Sequence, residues 1–222
     1  MGLVTLTVLG VVIVVSAAVA AVVKEYQARK QATEIIEQLR KSLGQYCHTY
    51  TLEECDDTLI EKCRNCILKE FPNGITPEFA KLDTMDARKQ LAEDLVADLA
   101  SCMELDGVEV EFLPMPAGEY GCMKPLDDGV RRVCLNEALL VADPEQIVKT
   151  ICHELRHAVQ IQSFTDNKWG YSNVRVAQWL YSWNNYISCT SVTNFEAYYS
   201  QIIEVDARHF VDELFKDINL EK

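Results

Sequence analysis

The 222-residue sequence predicts an α+β fold, in which a small antiparallel sheet packs with helices behind a helical cysteine-rich region and an N-terminal transmembrane helix. Three observations carry that expectation. Residues 3–23 contain no charged side chain, a run long enough to cross about 30 Å of hydrocarbon as a helix. Between Asp106 and Asn136 apolar residues alternate with polar ones (Val108, Val110, Phe112), the pattern of half-buried strands. From Pro144 the period becomes helical, and Val148, Ile151, Cys152, Leu155 and Val159 share one face.

Residues 1–23 read as a transmembrane anchor or signal segment. Ala18-Val19-Ala20 is similar to a signal cleavage site. No Lys or Arg precedes the apolar run, however, and Lys24, Arg29, Lys30, Arg40 and Lys41 follow it. That bias favours an uncleaved single-pass anchor meeting the lipid bilayer through residues 3–23, with the remainder on the cytoplasmic side. Residues 24–44 read as a charged helical stalk.

Residues 45–105 form the helical cysteine-rich region, broken by the turn signal Phe71-Pro72-Asn73-Gly74. Cys47, Cys55, Cys63 and Cys66 lie close to His48, and Cys63-Arg64-Asn65-Cys66 is a CxxC. A structural zinc site, disulfides and buried thiols all fit this spacing. Nine cysteines pull towards an oxidising compartment, against the flanking charge, so the side of the membrane stays open. In the strand region, a loop at Asp127-Asp128-Gly129 makes a hairpin whose Gly takes the left-handed position, and it sets Cys122 opposite Cys134.

The helix that follows carries the chemistry. Asp143 is an N-cap residue, Pro144 suits the first turn and Gln146 completes a capping box. His153-Glu154-Leu155-Arg156-His157 therefore falls in mid-helix. Two imidazoles four residues apart share a face and can reach one metal ion, with Glu154 beside them as a general base. Zn²⁺ held this way lowers the pKa of a bound water towards about 7 and polarises a carbonyl. A third ligand is needed, and Glu196, Glu204, Asp206 and His209 are the candidates in the last helical segment.

The segment Tyr198 to Phe210, placed after His153-Glu154-Leu155-Arg156-His157-Ala158-Val159-Gln160, resembles the second half of a small gluzincin-type zinc metallopeptidase. The resemblance, to minigluzincins and bacterial zincin-like toxin domains, covers roughly Asp106 to Leu214. It implies a zincin-like catalytic domain over residues 106–222, with Zn²⁺ on His153, His157 and Glu204, Glu154 as catalytic base and a protein or peptide substrate. His209 is the alternative ligand, as in zincins with a third histidine. The resemblance also points to Tyr198 or Tyr199 as oxyanion stabiliser, and to Gly121–Lys124 or Val130–Leu135 as a strand that pairs with substrate.

The chain departs from neighbouring classes in a few places. Metzincins have glycine and histidine where Gln160 and Ser163 stand. Thermolysin-like gluzincins have a ligand-orienting aspartate where Arg208 stands, and Asp206 lies about 200° round the helix from Glu204, which argues against a substitute role. The aromatic residues Trp169, Trp179, Tyr181, Trp183 and Tyr186 read as core. A net charge of −13 argues against nucleic-acid partners. Two other functions fit the motifs: a non-catalytic zinc-binding interaction module, and a protease toxin effector.

Overall fold

A computed structural model describes residues 50–116, 118–125, 129–189, 194–216 and 218. The segments read as membrane anchor and stalk, together with Cys47 and His48, lie outside the described residues. Helices α1 (Glu54–Glu70), α2 (Ile75–Ala80) and α3 (Met85–Cys102) come first. Strands β1 (Val108–Leu113), β2 (Gly121–Pro125) and β3 (Arg131–Asn136) follow. Helices α4 (Leu139–Ala142), α5 (Pro144–Gln162), α6 (Asn173–Asn184), α7 (Phe195–Tyr199) and α8 (Ile202–Phe215) complete the order.

The expected fold class is corrected on two counts. The sheet is mixed rather than antiparallel: its order is β1-β3-β2, with β1 parallel and β2 antiparallel to β3. Alternating hydrophobicity marks a strand but not its direction. Here the connection after β1 carries the chain past the place that β3 takes, so the hairpin folds back and inserts its second strand between the other two. The second correction concerns the membrane. Among the described residues no helix is long and apolar enough to cross one; the apolar run at residues 3–23 lies outside them.

Local chemistry sets the helix ends. The Asp143 carboxylate accepts a hydrogen bond from the Gln146 backbone N–H at 3.0 Å, and Pro144 fills the first turn of α5, where a missing N–H costs nothing. Thr84 caps α3 by accepting from Ala87 N at 3.2 Å. Gly74, with φ of 96°, makes the turn signalled by Phe71-Pro72-Asn73-Gly74, a backbone state that costs an L side chain energy.

Helix α5 is the centre of the molecule. Ile147, Val148, Ile151, Cys152, Leu155, Ala158 and Val159 are all fully buried on it. They pack in one core with Ile67 of α1, Leu95 and Leu99 of α3, Val133 and Leu135 of β3, and Phe210 and Leu214 of α8. Cys63 of α1 belongs to the same core, and burial pushes its thiol pKa well up. Cys55, Cys63, Cys66, Cys102, Cys122, Cys134 and Cys152 are thiols, so among the described residues no disulfide pins the first helices.

The register pairs Cys122 with Cys134, as the sequence predicts, and Gly129 has φ of 85°. Only one of the two strands suggested for substrate pairing is an edge. Val130–Leu135 lies within or beside β3, which is hydrogen-bonded on both sides, whereas β2 ends the sheet. β2 also lies hard against α5. A Cβ added at Gly121 would stand 2.6 Å from Thr150 Cγ2 and 2.8 Å from the Cys134 carbonyl oxygen.

Candidate metal centre

His153 and His157 stand one turn apart on α5, and Glu204 comes from the first turn of α8, which crosses it. The His153 Nε2 lies 3.2 Å from His157 Nε2 and 3.3 Å from Glu204 Oε2, and His157 Nε2 lies 3.6 Å from Glu204 Oε1. Ligands about 2.0–2.2 Å from a tetrahedral ion are separated by about 3.3–3.6 Å. The three groups can therefore hold a metal ion, and they are the one cluster of three such side chains among the described residues. His153 is 19% exposed and Glu204 2%, so the centre is reached from the His153 side.

The electrostatics agree with a cation site. Burial opposes the charged form of both partners, yet attraction prevails. Burial would lower the His157 pKa, but the Glu204 carboxylate and its hydrogen bond raise it to about 9. Burial would raise that of Glu204, but His157 and His153 hold it well below the usual carboxylate range. Without a metal the cluster retains a proton; a metal ion would have to displace it.

The His157 tautomer follows from its surroundings. Gln160, three residues on and thus on the same face, directs its Nε2 to Ile203 O at 3.0 Å and to Asp206 Oδ2 at 2.6 Å. Both are acceptors, so Nε2 is the amide nitrogen and Oε1 is left to accept. Oε1 sits 2.9 Å from His157 Nδ1, so Nδ1 carries hydrogen, and Nε2 offers its lone pair to the centre once the second proton is displaced.

Glu154 is buried between α5 and β2. Its Cγ stands 3.5 Å from a Cβ built at Gly121, and the Met123 backbone N–H donates to its carboxylate. Burial raises its pKa; His153 and His157 act against the rise and Glu204 adds to it. A carboxylate shifted towards neutral is a stronger base than a solvated one.

The remaining site residues divide. Tyr198 reaches the centre, donating its O–H to Glu204 Oε2 at 3.1 Å. Tyr199 does not: its ring stacks on Phe195, and its carbonyl accepts from Arg208. Arg208 thus turns away from the ligands. His209 takes no part in the cluster and instead packs edge-on against Tyr50, with ring centroids 5.3 Å apart. Five residues after Glu204, it points about 140° round α8.

Tyr186 was read as core and is not. It is 41% exposed, and its O–H donates to Glu204 Oε1 at 3.2 Å. Its ring stacks on Trp183, whose own ring stands edge-on to His157 at 5.6 Å. Trp179 is the core residue of that group. Tyr186 follows the end of α6, where no periodicity tells which way a side chain points, whereas the spacing of Gln160 from His157 was a usable signal. No family model, curated protein or solved structure matches this chain.

Proposed function

We propose that the chain is a zinc-dependent peptidase in which Glu154 takes a proton from water as a peptide bond is attacked. One observation carries the reading. A His-His-Glu cluster with the spacing of tetrahedral ligands, a buried glutamate of raised pKa and a sheet edge meet on one side of α5. When bound, zinc supplies a Lewis acid that polarises the carbonyl and brings the pKa of a bound water near 7.

The chain's own groups do the rest. Glu154 accepts the water proton and returns it to the departing amine, for which a pKa nearer neutral suits it. The β2 edge offers backbone groups to an extended peptide, and Gly121 lets that edge lie close to Glu154. Tyr186 is the more exposed of the two tyrosines on Glu204 and is taken as the donor to the developing oxyanion, while Tyr198 keeps Glu204 in place.

The test compares wild type with Glu154→Gln on an unfolded protein substrate, with zinc content measured in both. The variant should retain zinc and lose activity by several orders of magnitude, since it removes a proton acceptor and no ligand. Equal turnover ends the peptidase reading. Zinc in both with cleavage by neither leaves a non-catalytic metal module.

A further inference from the structure

Arg156, the fourth residue of the metal-binding pentapeptide, is fully buried, as are Asp56 of α1 and Asp206 of α8. Its Nε and Nη2 donate to Asp206 at 2.7 and 2.9 Å, and its Nη1 donates to Asp56 Oδ1 at 2.7 Å and to the Tyr171 hydroxyl at 2.6 Å. The Tyr171 O–H in turn donates to Asp56 Oδ1 at 2.7 Å. The guanidinium also lies 4.8 Å from the Phe210 ring centroid and 5.2 Å from that of Trp179.

Asp206 is thus held rigidly, and it holds Gln160 in turn. The Gln160 amide touches both metal-binding elements: its oxygen accepts from His157, while its nitrogen donates to Ile203 O, one residue before Glu204, and to Asp206. One planar group therefore sets the rotation of an imidazole on α5 and its distance from a carboxylate on α8. We propose that Gln160, fixed by Asp206 and the Arg156–Asp56 pair behind it, is the positioning residue of the metal centre. The proposal rests on the metal-centre reading. An aspartate one turn after the glutamate is absent here, and the orienting contact comes instead through an amide, which adds less to the basicity of the imidazole than a carboxylate would.

This assignment has a sharp consequence. Gln160 touches no metal and no substrate, and its loss should alter the geometry of a bound ion. Gln160→Leu keeps the volume and helix propensity and removes every hydrogen bond. The probe is Co²⁺, with affinity read by competition against a chromophoric chelator and geometry by the visible absorption of the saturated protein. Wild type should bind one ion with the intense bands of tetrahedral cobalt. The variant, with an unchanged far-ultraviolet spectrum, should bind about 10–100-fold more weakly and with altered bands. Binding within threefold of wild type and identical bands overturn the positioning role. Failure of the wild type to bind Co²⁺ overturns the centre itself, and the positioning role with it.

If Gln160→Leu does not fold, the wild-type zinc form answers by NMR. The His157 Nδ1 proton should exchange slowly with solvent and show a nuclear Overhauser contact to the Gln160 side chain. A fast-exchanging proton with no such contact overturns the proposal.

Discussion

Arg156→Met removes the cation that bridges two buried carboxylates, leaving Asp56 without its ion pair and Asp206 with Arg175 Nη1 at 3.5 Å, and the size of the effect follows from the structure. Three of the lost hydrogen bonds run to Asp56 or Asp206 at 2.7–2.9 Å, and both acids are fully enclosed. Breaking a buried ion pair on one side costs about 3–5 kcal/mol, because the partner charge stays behind uncompensated. A domain of this size holds about 5–15 kcal/mol in all. With a urea dependence of about 2 kcal/mol per molar, the unfolding midpoint should fall by about 2 M. The assay is urea unfolding of metal-free protein followed by tryptophan fluorescence. A loss below about 1 kcal/mol would refute the reasoning, since it would mean that water or a nearby cation already compensates the acids. A triple variant, Asp56→Leu with Arg156→Met and Asp206→Leu, separates stability from positioning. Removing all three charges should restore most of the stability, yet the metal affinity should stay low, because Gln160 has lost Asp206.

Four further outcomes are expected. His157, raised to about 9 from 6.5, stabilises metal-free protein fully below pH 6.5 and loses that contribution as pH rises through about 9, a change on the order of 3 kcal/mol; thermal melts with chelator should show the decline. Glu204, whose pKa is depressed, gives its share above the usual carboxylate value and loses it in acid. For the same reason zinc affinity should rise about tenfold per pH unit below pH 9 and then level off, as one proton is displaced per ion; titrations at fixed pH check it, and a flat profile would contradict a protonated His157. Glu204→Ala should abolish stoichiometric metal binding while His209→Ala leaves it intact, read by metal analysis after dialysis. Gly121→Ala forces a Cβ to within 2.6 Å of Thr150 Cγ2; it should cost about 1–3 kcal/mol and raise KM for peptides more than it lowers kcat, because β2 moves off α5.

Much of the fold could be read in the chain because its signals are local. The start of α5 follows from Asp143, Pro144 and Gln146, and the register of β2 on β3 from a loop centred on Asp128, with Cys122 and Cys134 paired accordingly. The direction of β1 was not readable in this way. Its parallel pairing with β3 depends on where a separate hairpin comes to rest, and alternation within one strand does not record that. Trp179 and Tyr186 show the same limit in side chains: both belong to one aromatic run, yet one closes the core and the other borders the ligands.

The candidate metal cluster and its support separate for a related reason. His153, Glu154 and His157 are neighbours on one helix, so their spacing alone states a geometry. Asp206 was discounted because it faces away from Glu204 on α8, and for a direct contact within one helix that argument holds. Two helices that cross bring a second surface into play. The face of α8 bearing Asp206 meets Arg156 and Gln160 on α5, so a residue pointing away from one ligand ends up behind the other. Arg208, at the place expected to orient a ligand, instead closes on Tyr199. An orienting group is therefore defined by the ligand it reaches through space, and its offset along a helix identifies it only when it and the ligand share that helix. Gln160 meets this condition with His157, three residues away; Asp206 meets it with neither histidine.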